Sequence, residues 1–139
     1  MKHSALFRAW LPIQLRYLGR DEQAKSIGDT IEPLTRNHAW WTANVAKLGR
    51  GDIDADQLLG LAKNNRRQQT HHLMTLAWDR LADADGRDDA IKYLDRAIAL
   101  NHRVGDSYYW CRAMRKKLKD EADWPASYKA ELMKFEAAQ

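Results

Sequence analysis

Residues 51–62, GDIDADQLLGLA, recur 35 residues later as GRDDAIKYLDRA at positions 86–97. Five of the twelve positions carry the same residue in both copies, namely Gly51/Gly86, Asp54/Asp89, Ala55/Ala90, Leu59/Leu94 and Ala62/Ala97. Chance at ordinary residue frequencies gives about one match in such a window. The repeat therefore predicts helical hairpins that stack on one another, because a single hairpin cannot bury its own apolar face.

Helical spacing of apolar residues extends over the whole chain, with almost no strand pattern. The second copy shows this spacing most clearly, with one helical face formed by Ala90, Ile91, Leu94, Ala97 and Ile98. The same analysis of the other stretches predicts an all-α fold of about eight helices. We expect four hairpins, at about 4–36, 37–65, 68–101 and 106–137. The loops are short and contain no Ser/Gly or Pro tract, so residues 1–139 should form one domain.

Proline, glycine and capping residues suggest where individual helices begin and end. Pro12 should kink the first helix or mark its start, because proline removes a backbone donor, and Gly19 should end that helix. Asn37 should cap the third helix. The fourth helix should run from about Asp54 to Asn64, with the aspartates at its start as caps and a polar turn at 64–67 after it. Asp106 should cap the seventh helix.

Composition and charge narrow the classes of protein. The net charge of +4 and a pI near 9.3 favour acidic partners, whether peptide, nucleic acid or membrane surface. No apolar run approaches the roughly 20 residues that span a bilayer. The apolar N-terminal stretch is interrupted by Arg8, Gln14 and Arg16, without a cleavage site for a signal peptide. Cys111 is the single cysteine and excludes an intrachain disulfide. We expect a cytoplasmic protein with no membrane association.

The hairpins resemble tetratricopeptide repeats (TPRs). In that family an alanine lies early in the second helix of each hairpin, followed by a large apolar residue and a second alanine. The chain is similar at Ala55, Leu59 and Ala62 and again at Ala90, Leu94 and Ala97. It departs from the family pattern at Trp78, where a small residue is usual, and at Arg67, His102 and Pro125. The resemblance covers about residues 38–119 and implies a TPR-like α-solenoid.

The resemblance also implies a mode of action. In the family, the first helices of the hairpins line a groove that receives a peptide or protein segment. The positions that this selects are Trp40, Asn44 and Lys47 in the second hairpin and His72, Thr75 and Asp79 in the third. An exposed indole beside an amide and a cation suits recognition of a peptide backbone or carboxylate. The alternative is that Trp40 packs between hairpins and the polar residues are only solvated.

A second candidate site lies on the seventh helix. Its spacing places an aromatic residue and four basic residues in one stripe, which consists of Tyr108, Arg112, Arg115, Lys116 and Lys119. Such a stripe can bind acidic peptides, phosphates or nucleic acid. The alternative is a solvated face, because the acidic residues that follow neutralise part of its charge. We expect an acidic protein partner rather than nucleic acid.

Metal and catalytic sites find little support in the sequence. Asp52, Asp54 and Asp56 imitate the opening of a calcium loop, but Gln57 and Lys63 replace the required glycine and bidentate glutamate. The adjacent His71 and His72 point about 100° apart on a helix, so they do not form a zinc pair, and we expect them on the surface. Neither a phosphate-binding glycine motif nor a spaced carboxylate pair is present. We expect no metal and no cofactor.

These observations predict a non-enzymatic scaffold or adaptor that binds a protein or peptide in the groove of the first helices. The alternative function is anionic-ligand or nucleic-acid binding through the basic stripe. The first helix is apolar for the end of a repeat array, around Phe7, Trp10, Leu11 and Ile13. We expect it to pack within the chain, while self-association through this helix stays open.

Overall fold

The computed structural model describes the backbone of residues 2–35 and 40–139. Within these ranges, it describes all side chains except those of residues 2–9, 28, 30–35, 40–42, 127–129, 132 and 136. The described backbone is all-α and forms eight helices without a strand. They are α1 (Lys2–Tyr17), α2 (Asp21–Thr35), α3 (Trp40–Arg50), α4 (Ala55–Gly60), α5 (Arg66–Arg80), α6 (Arg87–Ala99), α7 (Ser107–Asp120) and α8 (Ala126–Ala137).

Helix α1 continues through Pro12 instead of starting there, and it ends at Tyr17 before the left-handed Gly19. Pro12 is buried against α3. A Cβ atom added to Gly49 would lie 3.1 Å from the Cβ of Pro12, so the missing side chain of Gly49 permits the close approach of α1 and α3. The predicted cap Asn37 lies outside the described residues.

Helix α4 is shorter than the sequence predicts. Asp54 caps it as expected, accepting a hydrogen bond from the Gln57 amide while the Gln57 side chain accepts one from the Asp54 amide. The helix ends at Gly60, since glycine weakens a helix interior. Asn65 then caps α5 by accepting a bond from the Gln68 amide, so the predicted polar turn is itself a helix start.

The two copies of the repeat differ in structure. Gly51 has a φ of 79°, a conformation that favours glycine, and its missing side chain faces open space. Gly86 has an ordinary φ of −82°, but an added Cβ would lie 1.8 Å from the carbonyl oxygen of Arg80. Asp54 caps α4, whereas its match Asp89 lies within the first turn of α6. Identical residues therefore satisfy different requirements in the two copies.

Helix α5 lies at the centre of the described fold and contacts α1, α3, α4, α6 and α7. Two clusters of buried apolar residues meet at it. One joins α5 to α6 and α7 and includes Leu73, Ala77, Leu94 and Met114. The other joins it to α1, α3 and α4 and consists of Ile13, Val45, Ala46, Leu48, Leu58 and Leu76.

Polar contacts fix the C-terminal end of α7. The Arg87 guanidinium at the start of α6 donates to the carbonyl oxygens of Leu118 and Trp124, and to that of Glu121 at 3.3 Å. Carbonyl groups at a helix end lack intrahelical donors, so this arginine satisfies them. The Tyr17 hydroxyl donates to the Pro125 carbonyl at 2.8 Å and connects the end of α1 to the segment before α8.

Candidate binding cleft between helices α1, α5 and α7

Helices α1 and α5 run parallel, and aromatic side chains pair between them at matched positions. The rings of Trp10 and His71 are stacked, with centroids 5.7 Å apart and planes at 19°. One heptad later, the rings of Tyr17 and Trp78 lie 5.9 Å apart. Seven residues advance a helix by about 10.5 Å, so equal steps on both helices keep the pairs in register. An ion pair between Arg16 and Asp79 closes the same end.

A cleft of about 210 Å³ remains where α7 meets this pair of helices. Its lining is mainly apolar and includes three tryptophans and two methionines. Helix α1 contributes Trp10, Ile13 and Gln14, α5 contributes Met74, Thr75 and Trp78, and α7 contributes Trp110 and Met114. Trp110 is 60% exposed and lies on the solvent side, while Ile13 is fully buried.

Three donors near the cleft differ in how they are satisfied. The Thr75 hydroxyl donates to the His71 carbonyl at 3.0 Å within its own helix. The indole nitrogens of Trp10 and Trp78 are buried and have no hydrogen-bond acceptor among the described residues. Buried donors in folded proteins are normally bonded. A bound group that carries an oxygen acceptor would restore a bond to either indole that it reached.

Two buried histidines support the α5 side of the cleft. His71 is 6% exposed and His72 is fully buried, so the expectation that both lie on the surface is wrong. Burial, together with the nearby charges of His72 and Arg67, lowers the pKa of His71 to about 4. Burial also lowers the pKa of His72 to about 4, opposed by a backbone hydrogen bond with Leu58. Both imidazoles are neutral at pH 7, which suits a packed interior.

The six predicted groove residues lie in different surroundings. Thr75 lines the cleft, but it is buried, as are Asn44 and His72, and these three side chains therefore do not form an open surface. Asp79 is held by Arg16. Lys47 is half-buried on α3, and the Trp40 side chain is not among those described. The prediction chose a face of α5 that other helices cover.

Trp78, Trp110 and both methionines of the cleft were missed as binding residues, whereas Trp10 belongs to the first-helix surface that was considered for self-association. Trp110 and Met114 are four residues apart, a spacing that also describes a core-facing stripe. Trp78 differs from the family pattern at a position where a small residue is usual. Two sequence signals could have indicated the cleft. One is this large side chain, which changes the space between α5 and its neighbours, and the other is the apolar first helix around Trp10 and Ile13.

The basic residues predicted on α7 lie together, on the side of the helix that faces away from the cleft. An open groove between α6 and α7 is lined by Ile98, Tyr109, Arg112, Ala113, Arg115, Lys116 and Lys119. Arg115 donates to Asp95 of α6 at 2.7 Å, and Lys116 pairs with Asp120. The contact between these two side chains raises the pKa of Lys116 and lowers that of Asp120. Arg112 and Lys119 form no ion pair with any described residue.

Tyr108 does not belong to this exposed surface, contrary to the prediction. It is 5% exposed and packs beneath two guanidinium groups, those of Arg103 at 5.7 Å and Arg112 at 5.9 Å from the ring centroid. The neighbouring Tyr109, which is 54% exposed, supplies the aromatic side of the groove instead. A helix turns by about 100° per residue, so adjacent tyrosines face different surroundings.

Within the described residues, no group of three or more His, Cys, Asp and Glu side chains could hold a metal ion. No described helix is both long and apolar enough to span a bilayer. Cys111 is buried in the core, where burial raises the pKa of its thiol to about 12.

Comparison with known proteins gave no relative: no protein-family model matches the chain, and neither a curated protein nor a solved structure is significantly similar to it.

Proposed function

We propose that this protein is a non-enzymatic interaction module that binds a peptide or protein segment through the cleft between α1, α5 and α7. The observation that carries the proposal is the unfilled apolar volume of about 210 Å³ beneath the exposed Trp110. Interiors normally pack without such voids. A cleft that opens beside an exposed tryptophan is therefore a place where an incoming side chain gains contacts.

The size of the cleft favours a side chain over a cofactor. Sites for drug-sized molecules and cofactors usually enclose about 300–1,000 Å³. The cleft is smaller, whereas an engineered cavity of about 150 Å³ accommodates a benzene-sized group. One large aliphatic or aromatic side chain fits this range. Burying it contributes about 1.5–3 kcal/mol, which is enough to anchor a segment that makes further contacts outside.

The lining also suits protein recognition. Tryptophan is enriched among the residues that dominate binding energy at interfaces, and methionine adapts its shape to different partners. The polar lining consists of one amide, on Gln14, and the hydroxyl of Thr75, which is engaged by its own helix. This lining supports binding rather than acid or base chemistry.

The proposal retains the TPR-like order of hairpins. Helices α1, α5 and α7 would each be the first helix of a hairpin, and the cleft would be the part of their shared groove that α1 leaves open. An adaptor or scaffold role follows from binding without catalysis. The cytoplasmic location expected from the sequence remains part of this proposal, and a chain that cannot form an intrachain disulfide is compatible with it.

A random peptide library displayed on phage tests the proposal. We expect selection on the wild-type protein to enrich peptides that share one large aliphatic or aromatic residue. Synthetic copies should bind Trp110→Ala at least about tenfold more weakly, because the variant removes about 1.4 kcal/mol or more of anchor contacts. Titration calorimetry measures the loss. The exposure of Trp110 means that the variant should keep its fold.

Tyr109→Ala provides the matched control. Tyr109 is adjacent in sequence and similarly exposed, at 54% against 60%, but it lies on the other flank of α7. Its substitution should change peptide affinity by less than about twofold. Equal losses from the two variants would overturn the assignment of the cleft, as would peptides without a common apolar anchor.

A further inference from the structure

We propose that the groove between α6 and α7 is a second binding site, and that it takes an acidic peptide segment with apolar residues between its carboxylates. This site is separate from the cleft. Measured around α7, Arg112 and Lys119 point more than about 140° away from Trp110, because each residue advances the helix by 100°. One short side chain therefore cannot reach both sites, and the groove stands independently of the proposed function.

Two of the arginine side chains in the groove are already held in place before any peptide binds. Arg115 is held by Asp95, which fixes its guanidinium against α6. Arg112 lies against the face of the buried Tyr108, which restricts its side chain. Arg112 and Lys119 contact no carboxylate in the described part of the chain, so both remain to pair with an incoming one. Side chains that are already restricted lose less entropy on binding.

The composition of the groove favours a peptide over a nucleic acid. Asp95 and Asp120 place negative charge at its edges, which repels a closely spaced phosphate backbone. A peptide can position carboxylates away from these two residues. Ile98, Ala113 and the exposed ring of Tyr109 provide apolar surface among the cations, which apolar side chains of a peptide can cover. An amphipathic acidic segment matches both features.

The probe is a short fluorescein-labelled peptide in which glutamate and leucine alternate, and fluorescence anisotropy measures its affinity. The variant Arg112→Glu/Lys119→Glu should bind about tenfold more weakly, as expected when two exposed pairs are lost and replaced by repulsion. The matched control Lys25→Glu/Lys63→Glu makes the same change in net charge at exposed positions outside the groove. The affinity of this control for the peptide should fall by less than about threefold, since distant charges are screened. Circular dichroism checks that both variants keep their helicity.

Two further measurements complete the test. The variant Trp110→Ala should bind the acidic probe with unchanged affinity, which would separate the groove from the cleft. A single-stranded oligonucleotide of similar length should bind more weakly than the peptide. The proposal is wrong if both charge-reversal variants lose affinity equally. It is also wrong if the oligonucleotide binds more tightly and loses its affinity in Arg112→Glu/Lys119→Glu, because the groove would then be a nucleic-acid site.

Discussion

The two flanks of α7 present opposite chemistry. On the side facing α1 and α5, Trp110 and Met114 border an apolar cleft. On the side facing α6, Arg112 and Arg115 border an open basic groove. Both surfaces belong to one fourteen-residue helix. Successive side chains point in directions about 100° apart, so some face α1 and α5 and others face α6. One helix can therefore present two chemically different surfaces that have no lining residue in common.

The two flanks also depend on different forces. Binding in the cleft would rely on burial of apolar area, which salt hardly weakens. Binding in the groove would rely on exposed charges, which salt screens over about 8 Å at physiological ionic strength. The side chains beneath the flanks differ as well, since the cleft is supported by buried aromatic rings and histidines. Substitutions on the two sides should consequently differ in their effect on stability.

The largest effect is expected from acid, through the two histidines on the cleft side. The pKa values of His71 and His72 are lowered to about 4 in the folded protein, against about 6.5 when unfolded. The unfolded chain therefore binds protons first as the pH falls from 6.5 to 4, and stability decreases over that window. The loss reaches up to about 3 kcal/mol per histidine, since each pKa unit corresponds to about 1.4 kcal/mol.

Urea unfolding at pH 7 and pH 5 measures this loss in the wild type and in His71→Phe. Phenylalanine keeps a ring against Trp10 but cannot be protonated, so the variant should lose clearly less stability between the two pH values. Trp110→Phe, an aromatic substitution at a mostly exposed position, is the control and should keep the pH dependence of the wild type. An unchanged pH dependence in His71→Phe would contradict the assignment.

A smaller loss is expected from Trp78→Ala. Trp78 packs against both core clusters and against the ring of Tyr17, although it is only half-buried. We expect a decrease of about 2–3 kcal/mol in the free energy of unfolding, below the full range for a buried tryptophan. Trp110→Ala should cost less than about 1 kcal/mol by the same urea measurement, because Trp110 is mostly exposed. Similar losses would show that both tryptophans are structural.

The smallest effect is expected on the basic flank. Arg115→Ala removes the contact with Asp95, but this pair is exposed and such pairs contribute about 0.2–1 kcal/mol. The midpoint of thermal unfolding should therefore shift only slightly, and less in high salt than in low salt. A loss comparable to that of Trp78→Ala would mean that the groove is part of the structural core rather than a binding surface.

The helical class could be predicted from sequence, because apolar spacing directly reflects helical geometry. Helix boundaries were harder to predict. Asp54 caps α4 as expected, yet α4 ends early at Gly60 and Asn65 starts the next helix. The repeat predicted where two helices lie, but it did not predict why glycine is needed before each of them. Gly86 lies against the Arg80 carbonyl, a contact that cannot be inferred from a sequence pattern.

The candidate site was predicted only in part. Helical spacing correctly predicted that four basic residues of α7 lie on one face of the helix. It failed for Tyr108, which is buried, and for His72, which other helices cover. Which neighbour covers a given face depends on contacts between distant segments, here α1 against α5. A single sequence does not contain that information when the matching positions, such as Trp10 and His71, are far apart.

The most direct test of the central claim is to observe the indole Nε1–H signals by NMR while a phage-selected peptide is added. The chain has six tryptophans, and replacing each by phenylalanine assigns its signal. The signals of Trp10, Trp78 and Trp110 should shift together with one affinity, while that of Trp124, outside the cleft, should stay in place. A shift of Trp124 without the three cleft signals would contradict binding between α1, α5 and α7.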